Sequence, residues 1–267
     1  MDNLDYGIIG NCKSAALVSK TGSLDWCCLP NFDSAGVFAK LLDEEKGGSF
    51  EILISEDYNI EQEYLWETNI ISTVFDNGTD AFQLIDFMPR YPREDASYYA
   101  PPDIIRFFRL LKGKPKFRIK YDPKLDFGRE KTYTENKGGY LKSFTKEGKY
   151  DSLFFYSTFE LKDIEEQNML TLTGNAYCLV GYHEKLIPQN LDRAYLKFQR
   201  TKTYWMNWSS KTTRYTHYSE EIMRSALVLK SLTYKKSGAV LAAATTSLPE
   251  TIGEERNWDY RFCWIRD

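Results

Sequence analysis

Between Tyr6 and about Tyr182 short apolar or alternating runs are separated by turn residues at frequent intervals, the rhythm of an all-β unit. Ala15 to Ser19 and Leu24 to Leu29 flank Lys20-Thr21-Gly22-Ser23 and read as a hairpin. Thr68 to Phe75 and Asp80 to Phe87 flank Asn77-Gly78, which predicts a type I′ turn because both residues accept positive φ. Phe117, Ile119 and Tyr121 alternate with Lys116, Arg118 and Lys120, placing one face inward and one in water. Further strands are expected at 104–111, 140–144, 152–158, 169–173 and 176–182, with turns at Gly138-Gly139 and Gly174-Asn175. One short helix is expected within Ser34 to Glu45. So many strands in one unit favour a large antiparallel β-sandwich over a small barrel, a mainly β fold class.

The period changes after Pro188. Leu191, Ala194, Tyr195, Phe198, Trp205 and Trp208 recur at three-to-four spacing, one apolar stripe on a helix of about five turns. A second helix is expected over Ser219 to Lys236. Ser219 stands as its N-cap, Glu220 and Glu221 lie in its first turn, Lys235 and Lys236 in its last, and Gly238 follows, which suits the helix dipole and a left-handed cap. Gly238 to Ala244 reads as a short buried apolar stretch. The organisation expected is a β domain over 1–188, a helical linker over 189–212, and the beginning of a second, helical domain over 213–267. One helix is not a domain, so the chain reads as a piece of something longer. Cut off from that remainder, the apolar residues around Phe198, Trp205, Leu227, Trp258 and Trp264 would form an exposed patch.

Composition narrows the function. The 267 residues are 42% hydrophobic with a formal net charge of −3 and basic residues spread along the chain, which removes the broad electrostatic argument for nucleic acid or an anionic membrane. No apolar run is long enough to cross a bilayer. Residues 1–5 carry no signal-peptide pattern and the five Cys include no C-x-x-C spacing, so reduced thiols in a cytoplasm are expected. The adjacent Cys27 and Cys28 would face opposite sides of a strand. His183 and His217 are far apart, leaving a structural zinc and a Ser-His-Asp site unsupported. No dinucleotide or P-loop pattern occurs; neither cofactor nor metal is expected.

The run Arg256-Asn-Trp-Asp-Tyr-Arg-Phe-Cys-Trp-Ile-Arg-Asp267 packs three arginines, two aspartates and four aromatics into twelve residues. Such a run is poor core material, because guanidinium and carboxylate groups are rarely buried unless paired. It suits a cleft where planar rings flank a polar, uncharged ligand and charges converge on hydroxyls. A sugar is that kind of ligand.

Ordered segments along the whole chain carry a resemblance: Gly7-Ile-Ile-Gly-Asn11, Gly22-Ser-Leu-Asp-Trp26, Phe32-Asp-Ser34, Asp86-Phe-Met-Pro89, Tyr121-Asp-Pro123 with Asp126-Phe-Gly-Arg129, Arg224-Ser-Ala-Leu227 and the terminal run. Together they resemble the bacterial and archaeal glucoamylase-like and trehalase-like enzymes of glycoside hydrolase family fifteen. The resemblance implies a β-sandwich joined by a helical linker to an (α/α)6 barrel, of which this chain would hold only the first helix. It implies an inverting hydrolase that releases glucose from α-linked glucosides or trehalose. The two catalytic glutamates would come from barrel loops beyond Asp267, so no catalytic residue is nominated here and the chain alone is expected to be inactive. Inversion needs two carboxyls roughly 6.5 to 9.5 Å apart; Glu220-Glu221, Glu254-Glu255 and Asp43-Glu44-Glu45 read instead as a helix turn, a loop and a solvated face.

By place in the family pattern, Tyr260 and Trp264 resemble the aromatics that contact the glucosyl ring, and Arg266 and Asp267 the pair that holds its outer hydroxyls. Trp258 and Arg261 are expected to support that site. The alternative for Arg266 and Asp267 is ion pairing with each other or with Asp259 and Arg261. Trp26 is expected in core or interdomain packing. The runner-up function is a non-catalytic carbohydrate-binding or folding-assisting β-sandwich module. Oligomeric state and the choice between glucoamylase and trehalase stay open.

Overall fold

In the computed structural model, residues 5–148 and 151–247 are described, and beyond them Gly253, Glu255 and 257–265. The chain first lays down β1 (Tyr6–Gly10), β2 (Ala15–Ser19), β3 (Leu24–Cys28), β4 (Gly36–Phe38) and β5 (Ser49–Leu53). It crosses to β6 (Asn59–Tyr64), β7 (Ile71–Asp76) and β8 (Ala81–Phe87), then makes a small ribbon of β9 (Tyr91–Pro92) and β10 (Tyr98–Tyr99). β11 (Asp103–Lys112) and β12 (Lys116–Asp122) are followed by β13 (Thr132–Asn136), β14 (Leu141–Thr145) and β15 (Ser152–Ser157). A short helix α1 (Leu161–Glu165), β16 (Leu170–Thr171) and β17 (Ala176–Tyr182) precede two longer helices, α2 (Leu191–Ser209) and α3 (Ser219–Leu232).

Among the described residues these strands form two large antiparallel sheets. One runs β1-β2-β3-β5-β12-β16, with β4 beside β3; the other runs β13-β14-β15-β17-β11-β8-β7-β6. The main core lies between them, where Phe75, Phe82, Phe117 and Phe108 stack with ring centroids 4.6 to 5.4 Å apart. The fold class is therefore mainly β, as the short alternating runs predict. Cys27 sits in the intersheet core and Cys28 on the opposite face with Trp26, as adjacent strand residues must.

The second sheet is buried on both faces. Phe82, Leu84, Ile104 and Phe108 point into the intersheet core, while Ile85, Phe87, Ile105 and Phe107 point outward under α2. This explains why β8 and β11 read as nearly continuous apolar runs. Phe198 packs 5.8 Å from Phe87, and Trp205 is fully buried. Asn190 caps α2, its side-chain oxygen accepting from the Arg193 N–H at 2.9 Å.

Several sequence expectations are corrected. Ser34 to Glu45 forms no helix but carries β4 and turns, because Gly36 lies against the Phe127 ring and Val37 and Phe38 are buried beside β3. The Asn77-Gly78 connection is a four-residue loop closed by Asn77 N–H to Asp80 O at 3.1 Å, and only Gly78 has positive φ. α3 ends at Leu232, and its N-cap is Tyr218 with no side-chain capping bond. Thr233 instead pairs with Val240, and Gly238, at φ +76°, turns that hairpin. Lys235 and Lys236 thus lie beyond the helix. The expected apolar patch is corrected in part: Phe198, Trp205 and Leu227 are buried on the sandwich, with Tyr195 alone of the α2 stripe substantially exposed, at 44%, whereas Trp258 is exposed as expected.

Asp103 opens β11 beneath α2, and its Oδ2 lies 3.8 Å from Lys197 Nζ with both side chains largely buried. Burial pushes its carboxyl up to about 6, against the pull of Lys197 and Lys13 and with Glu184 adding repulsion. A carboxyl raised in the folded state binds more protons there than when unfolded, so its stabilising effect is complete below about pH 4 and is lost as pH rises through 6. Asp103→Asn removes that titration. On top of whatever offset the loss of the Lys197 partner imposes, urea unfolding should find the variant gaining about 2 kcal/mol on wild type between pH 4.5 and pH 7. A gap independent of pH would disprove this assignment.

Candidate functional site

The terminal segment is held by backbone pairing. Ser247 N–H donates to Trp258 O at 2.8 Å, Ala243 N–H to Tyr260 O at 2.8 Å and Ala242 N–H to Phe262 O at 3.0 Å, so 242–247 and 258–262 run side by side. Alternation along an extended chain then sorts the side chains. Asp259 and Arg261 turn towards the sandwich, while Trp258 and Phe262 are more than half exposed. Trp264 comes back to stack on Tyr260, with centroids 5.3 Å apart and an interplanar angle of 23°. It also meets Trp258 edge-on at 6.1 Å. Tyr260 and Trp264 are thus brought together with Trp258 in one partly exposed aromatic cluster, in which Tyr260 and Trp264 each cover one face of the other. Arg266 and Asp267 lie outside the described residues.

Arg261, expected with Trp258 to support the site, is buried and paired. Its Nε and Nη2 donate to Asp259 at 2.9 and 2.7 Å, and its Nη1 reaches Phe32 O at 3.3 Å, Ser34 O and Cys28 Sγ at 3.4 Å. Burial raises the Asp259 pKa, but hydrogen bonds from the Arg261 side chain and backbone N–H outweigh it and leave the carboxyl below its usual range. Trp26 is fully buried and donates from Nε1 to Ala244 O at 2.9 Å, the packing role expected of it.

Beside this strand lies a cleft of about 510 Å³, walled by Phe127 and Arg129 of the sandwich and by Asn257, Trp258, Asp259 and Arg261. A larger hollow of about 730 Å³ lies away from it, between the β9–β10 ribbon and α2, with Arg93, Glu94 and Asp95 at its exposed rim. The first adjoins the aromatic cluster through Trp258, while the second does not. Sequence reasoning attached no local role to Phe127. The signal was Gly128 after two residues that fold left-handed, Asp126 at φ +50° and Phe127 at φ +58°.

Further polar ties fasten α3 to the sandwich. Arg224 lies 3.8 Å over the Tyr64 ring and donates to Thr68 O at 2.7 Å and to Asn69 Oδ1, while Asn69 Nδ2 donates to Leu227 O at 2.9 Å. Cys12 Sγ approaches Lys230 O at 3.1 Å. Among the described residues no group of three or more His, Cys, Asp or Glu could hold a metal ion, and no helix is long and apolar enough to cross a membrane.

Two family models match the chain. Residues 5–149 match the family model described as "Trehalase-like, N-terminal", and residues 216–267 match "Glycosyl hydrolases family 15". A trehalase of Thermoplasma volcanium is 37% identical over 98% of this chain and 42% of its own length. A trehalase of Thermoplasma acidophilum is 36% identical over 94% of the chain and 44% of its own length. Trehalase 2 of Sulfolobus acidocaldarius is 32% identical over 99% and 44%. The chain therefore spans about two fifths of the length of the curated relatives it matches. Since the first of the two models covers more than half of its residues, the chain belongs to the trehalase-like amino-terminal family.

Proposed function

We propose that this chain is the amino-terminal part of an inverting glycoside hydrolase that releases glucose from trehalose, with other α-linked glucosides as the alternative substrates. The observation that carries the reading is the order of the matches: a trehalase-like amino-terminal model, then a family 15 model, with trehalases aligned along nearly the whole chain. On this reading 1–188 is the sandwich domain, 189–212 the linker, and 213–267 the opening of an (α/α)6 catalytic domain.

Tyr260 and Trp264 would cover the glucosyl ring. An electron-rich aromatic face suits the positive charge that develops on that ring as the glycosidic bond breaks. Arg266 and Asp267 would bind its outer hydroxyls by charge-assisted hydrogen bonds, rejecting sugars that leave those desolvated groups unpaired. General acid and general base, two glutamates placed to admit a water between base and anomeric carbon, would be supplied by the remainder of the catalytic domain. The buried free thiols of Cys12, Cys27, Cys28 and Cys178 support a reducing, cytoplasmic location.

Glucose release from trehalose and from maltooligosaccharides, measured for the full-length product and for residues 1–267 alone, tests the proposal. The full-length protein should release glucose from trehalose, and the 267-residue chain should release none. Glucose from the short chain would show that an acid–base pair lies within it. A full-length protein active only on maltooligosaccharides would overturn the trehalase assignment.

A further inference from the structure

A buried cation, Arg261, bonds the strand that carries the aromatic cluster directly to the sandwich. The directed bonds of the Arg261 guanidinium divide between two bodies: Nε and Nη2 serve Asp259 on the terminal strand, and Nη1 serves the sandwich at Cys28 of β3 and at Phe32 and Ser34 of the β3–β4 loop. A planar fork of donors can hold two directions at once, which an ammonium cannot. Trp258, Phe262 and Ile265 of the strand are exposed, and its backbone hydrogen bonds run to the irregular 242–247 segment, where Ala244 O accepts from Trp26 Nε1.

A second observation concerns the sandwich side. Asp126, Phe127 and Gly128 are consecutive left-handed residues, at φ +50°, +58° and +69°, a conformation that L side chains adopt rarely and that persists only when the surroundings impose it. A Cβ on Gly128 would come within 2.8 Å of Lys46 O, and one on Gly36 within 2.8 Å of the Phe127 ring. The outcome of this strained turn is to set the Phe127 ring 6.1 Å from Trp26 and 5.7 Å from the Arg261 guanidinium. The motif Asp126-Phe-Gly-Arg129 thereby acquires a function: it builds the seat on which the guanidinium rests.

We propose that Arg261 is a positioning residue that clamps the terminal strand to the sandwich, so that the Trp258–Tyr260–Trp264 wall takes its shape only on a folded β domain. That this wall faces a sugar rests on the function proposed above; the clamp itself does not.

The six tryptophans can be read individually by 19F NMR of the 267-residue chain labelled with 5-fluorotryptophan, with Trp258→Phe and Trp264→Phe assigning the two relevant lines. In Arg261→Met both lines should move to the shift of the unfolded chain, while those of Trp66, Trp205 and Trp208 stay. Arg261→Lys should behave like Arg261→Met, since charge without the fork does not join the two bodies. If Arg261→Met does not fold, Asp259→Asn is decisive, because it cuts the tie to the strand and leaves the tie to the loop. Lines for Trp258 and Trp264 that keep their wild-type shifts in the folded variants overturn the clamp. Addition of trehalose to the wild-type chain is a separate arm: a Trp264 line that does not respond counts against the sugar-facing reading alone, and the clamp stands or falls on the variants.

Discussion

Replacing Arg106 with Met should lower the stability of the chain by about 3 to 5 kcal/mol, the usual penalty for breaking a buried ion pair on one side. Arg106 and Asp86 are fully buried and directly opposite on β11 and β8. The guanidinium donates to both carboxylate oxygens, at 2.8 and 3.1 Å, and crosses the core to Phe50 O at 2.7 Å and to Gly22 O on the other sheet. It also lies 4.6 Å over the Phe50 ring. Met leaves Asp86 without a counter-charge in a place where burial already pushes its carboxyl above the usual range, and strands two carbonyls. The pair need not be better than an apolar one, however. Arg106→Met combined with Asp86→Leu should recover most of the loss, because no uncompensated group then remains. Urea midpoints of the two single variants and the double give the coupling energy directly. A single Arg106→Met substitution costing under about 1 kcal/mol would sink the view that this bridge joins the sheets.

Trp205→Ala should be comparably severe, about 3 to 5 kcal/mol. Trp205 is wholly buried where α2 crosses the outer face of the second sheet, edge-on to Tyr204 at 5.0 Å. Removing the indole opens a cavity between helix and sheet that neither element can close by itself. Its Nε1–H has no hydrogen-bond partner among the described residues, which predicts a contrast. Trp205→Phe loses volume but also removes an unsatisfied buried donor, so the two effects oppose and the net change should stay within about 1.5 kcal/mol. Equal losses for Ala and Phe would mean that the indole N–H is satisfied. Limited proteolysis supplies the structural readout: cleavage should begin within α2 in Trp205→Ala, while the intersheet core resists.

Much of the β unit was legible because its signals are local. Period-two runs such as Phe117, Ile119 and Tyr121 and the turn residues around Gly22 act within a few residues, and the strands at 15–19 and 176–182 lie where the pattern places them. The α2 stripe was legible for the same reason, since a helix face repeats within one turn. β1, β5, β6 and β13 carried weaker patterns and were not marked. β6 is an edge strand that alternates polar and half-buried residues, so little apolar contrast exists to read. The C-terminal end of α3 was misjudged because Thr233 leaves the helix to pair with Val240, a contact that no propensity of Lys235 or Gly238 encodes.

The aromatic members of the candidate site, Tyr260, Trp264 and Trp258, were visible because they alternate with charged residues that rarely enter a core, and the tertiary structure gathers them. Arg261 was visible only as a charged neighbour. Its connection to Phe32 and Ser34 spans more than two hundred positions, and Arg106 likewise finds Asp86 only through a strand register set by the whole sheet. By itself the sequence determined the mainly β class, the switch to helix after Pro188 and the unusual mix of aromatic and charged side chains in the terminal run, because periodicity and side-chain chemistry are properties of neighbouring residues. Only the tertiary structure decided that both long helices lie on the sandwich, that a cation bridges its sheets and that the terminal strand is tied to it through Arg261. Those arrangements depend on which distant surfaces meet, and the free energy of burying and pairing them exists only once the sheets have formed.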